Sequence, residues 1–259
     1  MVTSRSLSVS IISFNEEDNI GKCLKAIQDI ATEIIVVDSH STDRTVEIAL
    51  HYGATVVSED WKGFTLQKNS ALDKCRCDWI LALDCDEVVS PTLKASIISA
   101  VDHGLYEGFW VNRRTYFLGR WINHAWYPDW NLRLIKRGTA QWQGGDIHEC
   151  LRTTSHTKQL DGDLYHYSFR NLQDCLAKTV RYATIAANAY HRNGRSIRWY
   201  KLILNPFHGF FKHYILKRGF LDGWQGFILS VMNGITIFLK YSLLWEAIQK
   251  DTERRRDSA

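Results

Sequence analysis

The sequence lacks the features that define several large classes of protein. No apolar segment long enough for a secretory signal precedes the polar stretch at residues 15–18. Cys75 and Cys77 are too close together for a zinc knuckle, and no second pair among the six cysteines matches them. The apolar region at 199–245 contains no clean transmembrane span, because polar residues interrupt it: Asp222, Gln225, Asn233 and Lys240. We therefore expect a chain that is not exported and whose thiols are reduced.

The chain also lacks a strong charge of either sign. Its formal net charge is +4 over 259 residues, and the N-terminal half carries no basic stripe, so we predict no nucleic-acid partner. Lys and Arg become more frequent toward the C terminus, up to Arg254–Arg256. This bias is typical of a surface that faces an anionic membrane or a phosphorylated substrate, and a solvated face explains it equally well.

Strand and helix patterns alternate over the first part of the chain. Short apolar or alternating runs predict strands at 7–13, 33–37, 54–57 and 79–83. Helical spacing of apolar residues occupies the intervals between them. This rhythm is typical of an α/β fold with a doubly wound, mostly parallel sheet.

The second half predicts a different organisation. We expect a first domain over residues 1–195 and a helical, amphipathic and basic C-terminal extension over 196–259. The apolar region at 199–245 favours helices that associate with a membrane surface. A helix pair that packs on the first domain is the alternative.

Polar residues follow three of the predicted strands: Asn15 and Glu16, then Asp38 and Ser39, and finally Asp84 and Asp86. In doubly wound sheets, ligands bind beyond the carboxyl ends of the strands, so these side chains predict a site. Asp84 and Asp86 would share one face if the chain is extended there. Two carboxylates on one face could hold Mg²⁺ or Mn²⁺, which prefer oxygen ligands.

Three segments, in this order and spacing, resemble the family 2 glycosyltransferases of the GT-A fold: SVSIISFNEEDNI, EIIVVDSHSTDRTVEIA and WILALDCDEVVSP. Farther on, PDWNLRLIKR, IHE and KRGFLDGWQGF are similar to the bacterial lipopolysaccharide core β-1,4-glucosyltransferases. The resemblance covers nearly the whole chain. It implies an inverting enzyme that uses a nucleotide-diphosphate sugar and a divalent ion.

The resemblance also implies a reaction and a place in the cell. The expected reaction moves a hexose from UDP-glucose to a heptose of the lipopolysaccharide inner core, on a lipid-linked oligosaccharide acceptor. Polyprenyl phosphate and other cell-envelope glycolipids are alternative acceptors, and a non-catalytic sugar-nucleotide-binding protein is a remote alternative. The expected location is the cytoplasm, peripheral on the inner face of the cytoplasmic membrane.

Residue by residue, the resemblance implies roles for the polar strand ends. The residues that match the nucleotide-facing positions are Phe14, Asn15, Glu16, Asp38 and Ser39. Ser39 departs from the family pattern, which usually has a second acid there, although its hydroxyl can still bond to a base edge. Asp84 matches the acid that faces the sugar or ribose, and Asp86 matches the main metal ligand. Glu87 is expected to cap the following turn or to lie behind the metal ligands.

An inverting enzyme needs a general base that deprotonates the acceptor hydroxyl. The segment GGDIHE at 144–149 predicts Glu149 as this base, with Asp146 and Asp129 as alternatives. His148 is predicted as a metal or diphosphate ligand, with a purely structural histidine as the alternative. Arg133 could bind the diphosphate through two parallel hydrogen bonds, or it could be a surface cation.

Overall fold

The computed structural model describes residues 6–103, 105–145 and 149–257, and the chain divides into two compact units. The first unit comprises Met1–Thr115 and Pro128–Ser168, and the second comprises Tyr116–Tyr127 and Phe169–Ala259. This division differs from the predicted one, because the helix at 172–192 belongs to the second unit. That residues 1–195 and 196–259 act as separate functional domains stays a prediction.

The first unit is an α/β structure built on one large sheet. Its strands are β1 Leu7–Ser13, β2 Glu33–Asp38, β3 Thr55–Ser58, β4 Trp79–Asp84, β5 Glu87–Val89, β6 Gly108–Phe117, β8 Trp130–Lys136 and β11 Thr157–His166. Along the sheet they follow the order β3-β2-β1-β4-β8-β6-β11-β5. The first four of these are parallel, β8 runs antiparallel to both of its neighbours, and β6 and β11 are parallel.

Helices accompany the parallel strands, as the sequence predicts: α1 Ile20–Ile27, α2 Thr45–His51, α3 Phe64–Asp73 and α4 Pro91–His103. Apolar side chains of β2 and β4 alternate between two cores, with Val36 and Leu81 in one and Ile35 and Ile80 in the other. This alternation follows from the period of two along a strand. Because both faces are covered, these strands need continuous apolar runs. The predicted doubly wound, mostly parallel sheet is confirmed.

Some strands were not predicted. They are β5, the long β11, and the pair β9 Ala140–Gln143 and β10 Cys150–Thr153, which form a small sheet of their own. β11 contains Lys158, Asp161, Gly162 and Asp163, residue types that rarely form strands. Only neighbouring strands in the tertiary structure hold this segment extended.

The second unit is mainly helical. It contains β7 Arg120–Trp121, which pairs with the end of β6, and then α5 Leu172–Arg192, α6 Tyr200–Phe211 and α7 Gly223–Asp257. A π-helical turn at Lys212–Leu216 and a 3₁₀ turn at Gly219–Asp222 join α6 to α7. α7 packs against both α5 and α6. The core of this unit is formed by Phe117, Ile122, Ala125, Cys175 and Leu229.

The segment Gly219–Arg254 is long and apolar enough to cross a membrane, by length and composition alone. The segment meets this test although polar residues interrupt it, and the expectation that the region contains no clean transmembrane span stays a prediction. Length and composition are weak grounds for a membrane span, since a core helix of a soluble protein passes the same test.

Candidate active site

The end of β4 turns sharply instead of continuing as a strand. β4 stops at Asp84, Cys85 and Asp86 form a turn, and β5 begins at Glu87. The expectation that Asp84 and Asp86 share a face of an extended chain is therefore wrong. Their carboxylates face different partners. Asp84 contacts the cationic side chains of Lys68 and Arg133, whereas Asp86 contacts His166.

Asp84 is held by two cations from neighbouring elements. Lys68 Nζ on α3 lies 2.8 Å from Oδ1, and Arg133 NH2 on β8 lies 3.0 Å from Oδ2. Burial alone would raise the pKa of Asp84, but the positive charges of Lys68 and Arg133 outweigh it and hold this pKa well below its usual range. Asp84 is therefore a carboxylate at neutral pH.

Arg133 extends this network to Glu87, which is completely buried. The guanidinium of Arg133 lies 2.6 Å from Glu87 Oε1, and Arg113 NH1 lies 3.6 Å from the same oxygen. Glu87 Oε2 accepts the backbone N–H of Asp84 at 3.0 Å, so Glu87 closes the turn as expected. The charges of Glu87 and Asp84 also raise the pKa of Arg133 against the effect of its burial. Arg133 is thus a buried member of an ion network and not a surface cation.

Two of the three predicted general bases, Glu149 and Asp129, lie within the described residues, and each contacts a different cationic side chain. Glu149 Oε1 lies 3.2 Å from Lys68 Nζ, and Lys68 thereby joins Glu149 to Asp84. Asp129 Oδ2 accepts a hydrogen bond from Arg113 Nε at 2.9 Å, and Arg113 NH2 lies 2.9 Å from the same oxygen. Asp146 and His148 lie outside the described residues.

Asp86 lies beside a histidine that the sequence did not single out. His166 Nε2, at the end of β11, is 3.3 Å from Asp86 Oδ2. Nδ1 of the same ring is buried and has no hydrogen-bond partner among the described residues. The only sequence signal for His166 is its place after Leu160 and Leu164, whose side chains are buried.

This pair fits a small divalent cation. Adjacent ligands of an octahedral Mg²⁺ at about 2.1 Å stand roughly 3 Å apart, close to the Asp86–His166 separation. Carboxylate oxygen and imidazole nitrogen are both acceptable to Mn²⁺. Asp86 and His166 are only two ligands, and no group of three or more His, Cys, Asp or Glu side chains converges anywhere in the described ranges. Mg²⁺ commonly takes one or two protein ligands and completes its shell with water and substrate phosphates.

The loops after β1 and β2 are tied to each other by hydrogen bonds. Asp38 is buried and accepts bonds from Ser13 Oγ at 2.7 Å and from the backbone N–H of Ser41 at 2.8 Å. Asn15 adopts a positive φ of 53°, which Asn tolerates better than most residues, and its side chain accepts the N–H of Thr42. Asp38 and Asn15 therefore fix the shape of the loops.

Three further predicted nucleotide-facing residues occupy these loops. Phe14 is 57 % exposed, so its ring is accessible to a base. Ser39 Oγ is buried without a hydrogen-bond partner in the described part of the chain, as a hydroxyl reserved for a ligand would be. Glu16 receives a hydrogen bond from Asn19 at 2.8 Å, and its backbone N–H donates to Thr45.

The polar loops and ion network thus lie at the carboxyl ends of β1, β2 and β4, where doubly wound sheets bind ligands. Residues 8–158 match the family model "Glycosyl transferase family 2". The chain belongs to glycosyl transferase family 2. The resemblance noted from the three sequence segments is thereby confirmed.

Full-length relatives narrow the family. This glycosyltransferase is 29 % identical to the lipopolysaccharide core biosynthesis glycosyltransferase LpsC of Rhizobium meliloti, over 95 % of this chain and 94 % of LpsC. It is 26 % identical to an uncharacterized glycosyltransferase of Rickettsia typhi, over 93 % of this chain and 87 % of that one.

A solved structure agrees with the fold. The mannosyltransferase PcManGT from Pyrobaculum calidifontis, crystallised with GDP-Man and Mn²⁺, superposes with a TM-score of 0.55. The two chains are 14 % identical, and the match covers 94 % of this chain and 88 % of PcManGT. The predicted GT-A type architecture is confirmed.

Proposed function

We propose that this family 2 enzyme is an inverting hexosyltransferase that transfers glucose from UDP-glucose to a heptose of the lipopolysaccharide inner core. The observation that carries the reaction is the turn after β4, which presents Asp84 and Asp86 with separate partners at the carboxyl edge of the sheet. The acceptor rests on the similarity to LpsC over nearly the full length of both chains. An acceptor on polyprenyl phosphate or another envelope glycolipid is the second candidate.

Asp86 and His166 are the residues that would hold Mg²⁺ or Mn²⁺. When bound, the cation neutralises negative charge on the diphosphate leaving group. His166 contacts Asp86 and is therefore our first candidate among the described histidines, and the predicted His148 lies outside the described residues.

Asp84 would orient the donor sugar or its ribose. Both of its oxygens already accept bonds, from Lys68 and Arg133, but a carboxylate has about four lone-pair sites and can accept donor hydroxyls as well. The two cations fix its position before the donor binds, which reduces the cost of ordering it in the complex. Phe14 and the hydroxyl of Ser39 would contact the nucleotide base.

Glu149 is our first choice of general base, and Asp129 is the second. The base accepts the proton of the acceptor hydroxyl as the oxygen attacks the anomeric carbon and the bond to the diphosphate breaks. Lys68 orients Glu149, whereas Arg113 holds one oxygen of Asp129 through a hydrogen bond from Nε and an ion-pair contact from NH2. We propose that the enzyme acts at the cytoplasmic face of the membrane, where a lipid-linked acceptor would be accessible.

The test combines donors, acceptors and variants. Purified enzyme is given UDP-glucose, UDP-galactose or GDP-mannose with deacylated inner-core oligosaccharide or polyprenyl phosphate, in Mn²⁺ or in excess EDTA, and the product linkage is determined by NMR. We expect a β-glucosyl heptose, formed only with metal. Transfer to polyprenyl phosphate alone would show that this compound, and not the inner core, is the acceptor. Full activity in EDTA would show that the reaction needs no metal.

Variants identify the residues in the same assay. Glu149→Gln should lower kcat by at least about 100-fold, whereas Asp129→Asn should lower it far less. The opposite ranking would make Asp129 the base. Asp86→Asn should weaken Mn²⁺ binding measured by calorimetry, and wild-type affinity in that variant would show that the ion is held elsewhere.

A further inference from the structure

The solvent-exposed side of α6 is mainly apolar, whereas the exposed side of an ordinary surface helix is polar. Its exposed positions, continued through the π-helical turn, are mostly large and apolar: Ile203, Leu204, Phe207, Phe211, Ile215 and Leu216. Ile203, Phe207, Phe211 and Ile215 recur every four residues and so share one face. Leu204 and Leu216 lie at the two ends of the adjacent row, with His208 and Lys212 between them. We call the six apolar residues the α6 apolar face.

The opposite side of α6 packs against α7. Gly209 is buried, and a Cβ at this position would stand 2.3 Å from Ile237 Cδ1. A Cβ on Gly234 of α7 would meet the carbonyl oxygen of Pro206 at 3.2 Å. His213 also forms a hydrogen bond with Asn233. Close packing on this side fixes α6 with its apolar face turned outward.

The charge around this face is positive. Between residues 175 and 245 the sequence has ten Lys and Arg but a single acid, Asp222, and the side chain of Asp222 is fully buried. Lys212 and Arg218 are exposed on and just after the π-helical turn. Clustered cations beside an exposed apolar helix face are what binding to anionic lipid requires.

We propose that the α6 apolar face is the membrane-docking surface of this enzyme, inserting between the lipids of an anionic bilayer while Lys212 and Arg218 contact their phosphates. A second copy of the chain fits less well, because pairing two such faces would bring cations of the same sign together. This proposal specifies the membrane contact of the proposed function and rests on it.

The same geometry argues for docking without a transmembrane span. α7 packs along α5 over much of its length, and His191 on α5 contacts Asp251 on α7 at 2.8 Å. The exposed side of α5 carries apolar residues in its first half, Leu172, Leu176 and Val180, and polar residues toward its C-terminal end, Arg181, Asn188 and Arg192. A membrane-crossing α7 would take these polar side chains into hydrocarbon, where each charge costs several kcal/mol. A helix that lies in the interface avoids this cost.

The test is flotation of the full chain with vesicles of phosphatidylglycerol and phosphatidylethanolamine, or of phosphatidylcholine alone. Burying one Phe side chain is equivalent to roughly a tenfold change or more in partitioning, so Phe207→Ser/Phe211→Ser should reduce binding by about 100-fold. The matched control is Leu50→Ser on α2 of the first unit, which removes an equally exposed apolar side chain and should leave binding unchanged. Lys212→Gln/Arg218→Gln should reduce binding to anionic vesicles by roughly tenfold or more and leave phosphatidylcholine unaffected.

Other outcomes would overturn the proposal. The first is unchanged vesicle binding in the Phe double variant. The second is retention of the wild type in membranes after alkaline carbonate extraction, which a membrane-crossing α7 would cause. The third is a wild type that is dimeric and does not bind vesicles, together with a Phe double variant that is monomeric. Transfer to the deacylated acceptor is measured in parallel and should be equal in all these proteins. Vesicle binding without any transfer would refute the proposed function and leave the docking surface intact.

Discussion

Arg133→Met tests how the protein keeps a fully buried carboxylate at its active site. Arg133 NH2 lies 2.6 Å from Glu87 Oε1 and 3.0 Å from Asp84 Oδ2. After the substitution Asp84 keeps Lys68, but Glu87 keeps only Arg113, at 3.6 Å. Removing one partner of a buried ion pair typically costs 3–5 kcal/mol, and we expect about 3 kcal/mol because Arg113 remains.

The measurement is urea unfolding at pH 7, followed by circular dichroism. The control is the double variant Arg133→Met/Glu87→Gln, in which no buried charge is left without its partner and the amide can still accept the Asp84 N–H. It should recover at least ~1 kcal/mol relative to Arg133→Met. A loss below ~1 kcal/mol in the single variant, or no recovery in the double variant, would contradict the reasoning.

The pH dependence follows from Asp84, whose pKa the folded state depresses mainly through Lys68 and Arg133. A depressed pKa adds stability above the unfolded-state value of about 4, and that stability is lost as the pH falls toward the folded-state value. Arg133→Met removes part of this depression. The difference in unfolding free energy between wild type and variant should therefore stay constant above about pH 4 and narrow as the pH falls below about 4. A difference that also stays constant below about pH 4 would show that Asp84 is not linked to Arg133.

Two further predictions concern the architecture. Asp222→Ala should destabilise the fold by about 3 kcal/mol or more, because the buried carboxylate accepts backbone N–H groups from Asn123, His124 and Ala125 at 2.9–3.0 Å. These hydrogen bonds lower the pKa of Asp222 against the effect of its burial. Thermal unfolding measures the loss, and a Tm within 2 °C of wild type, about 0.5–1 kcal/mol, would contradict the prediction. Gly162→Ala should destabilise by at least ~2 kcal/mol, since Gly162 has a φ of +95° and an added Cβ would stand 2.3 Å from the backbone nitrogen of Leu93. Gly138→Ala, also at positive φ but with open space around it, is its control and should cost only ~1 kcal/mol.

The sequence alone determined the parallel half of the sheet and the location of the site. Continuous apolar runs such as EIIVV and WILAL have to be buried on both faces, and polar residues at their ends have to meet at one edge. The predicted strand at 7–13 coincides with β1, and the predicted strand at 33–37 differs from β2 by one residue. These features follow from local periodicity, which one segment carries by itself.

Only the tertiary structure decided how the acids at the end of β4 are accommodated. The sequence suggested one divalent cation shared by Asp84 and Asp86, with Glu87 in a structural role. In the fold, Lys68 and Arg133 neutralise Asp84. Arg133 and Arg113 neutralise Glu87. Asp86 contacts His166 instead.

These partners come from α3, β6, β8 and β11, which are distant from β4 in sequence, so no spacing rule could have assigned them. The outward face of α6 was decided in the same way. Its apolar positions are visible in the sequence, but the packing of Gly209 against α7 determines which side remains exposed.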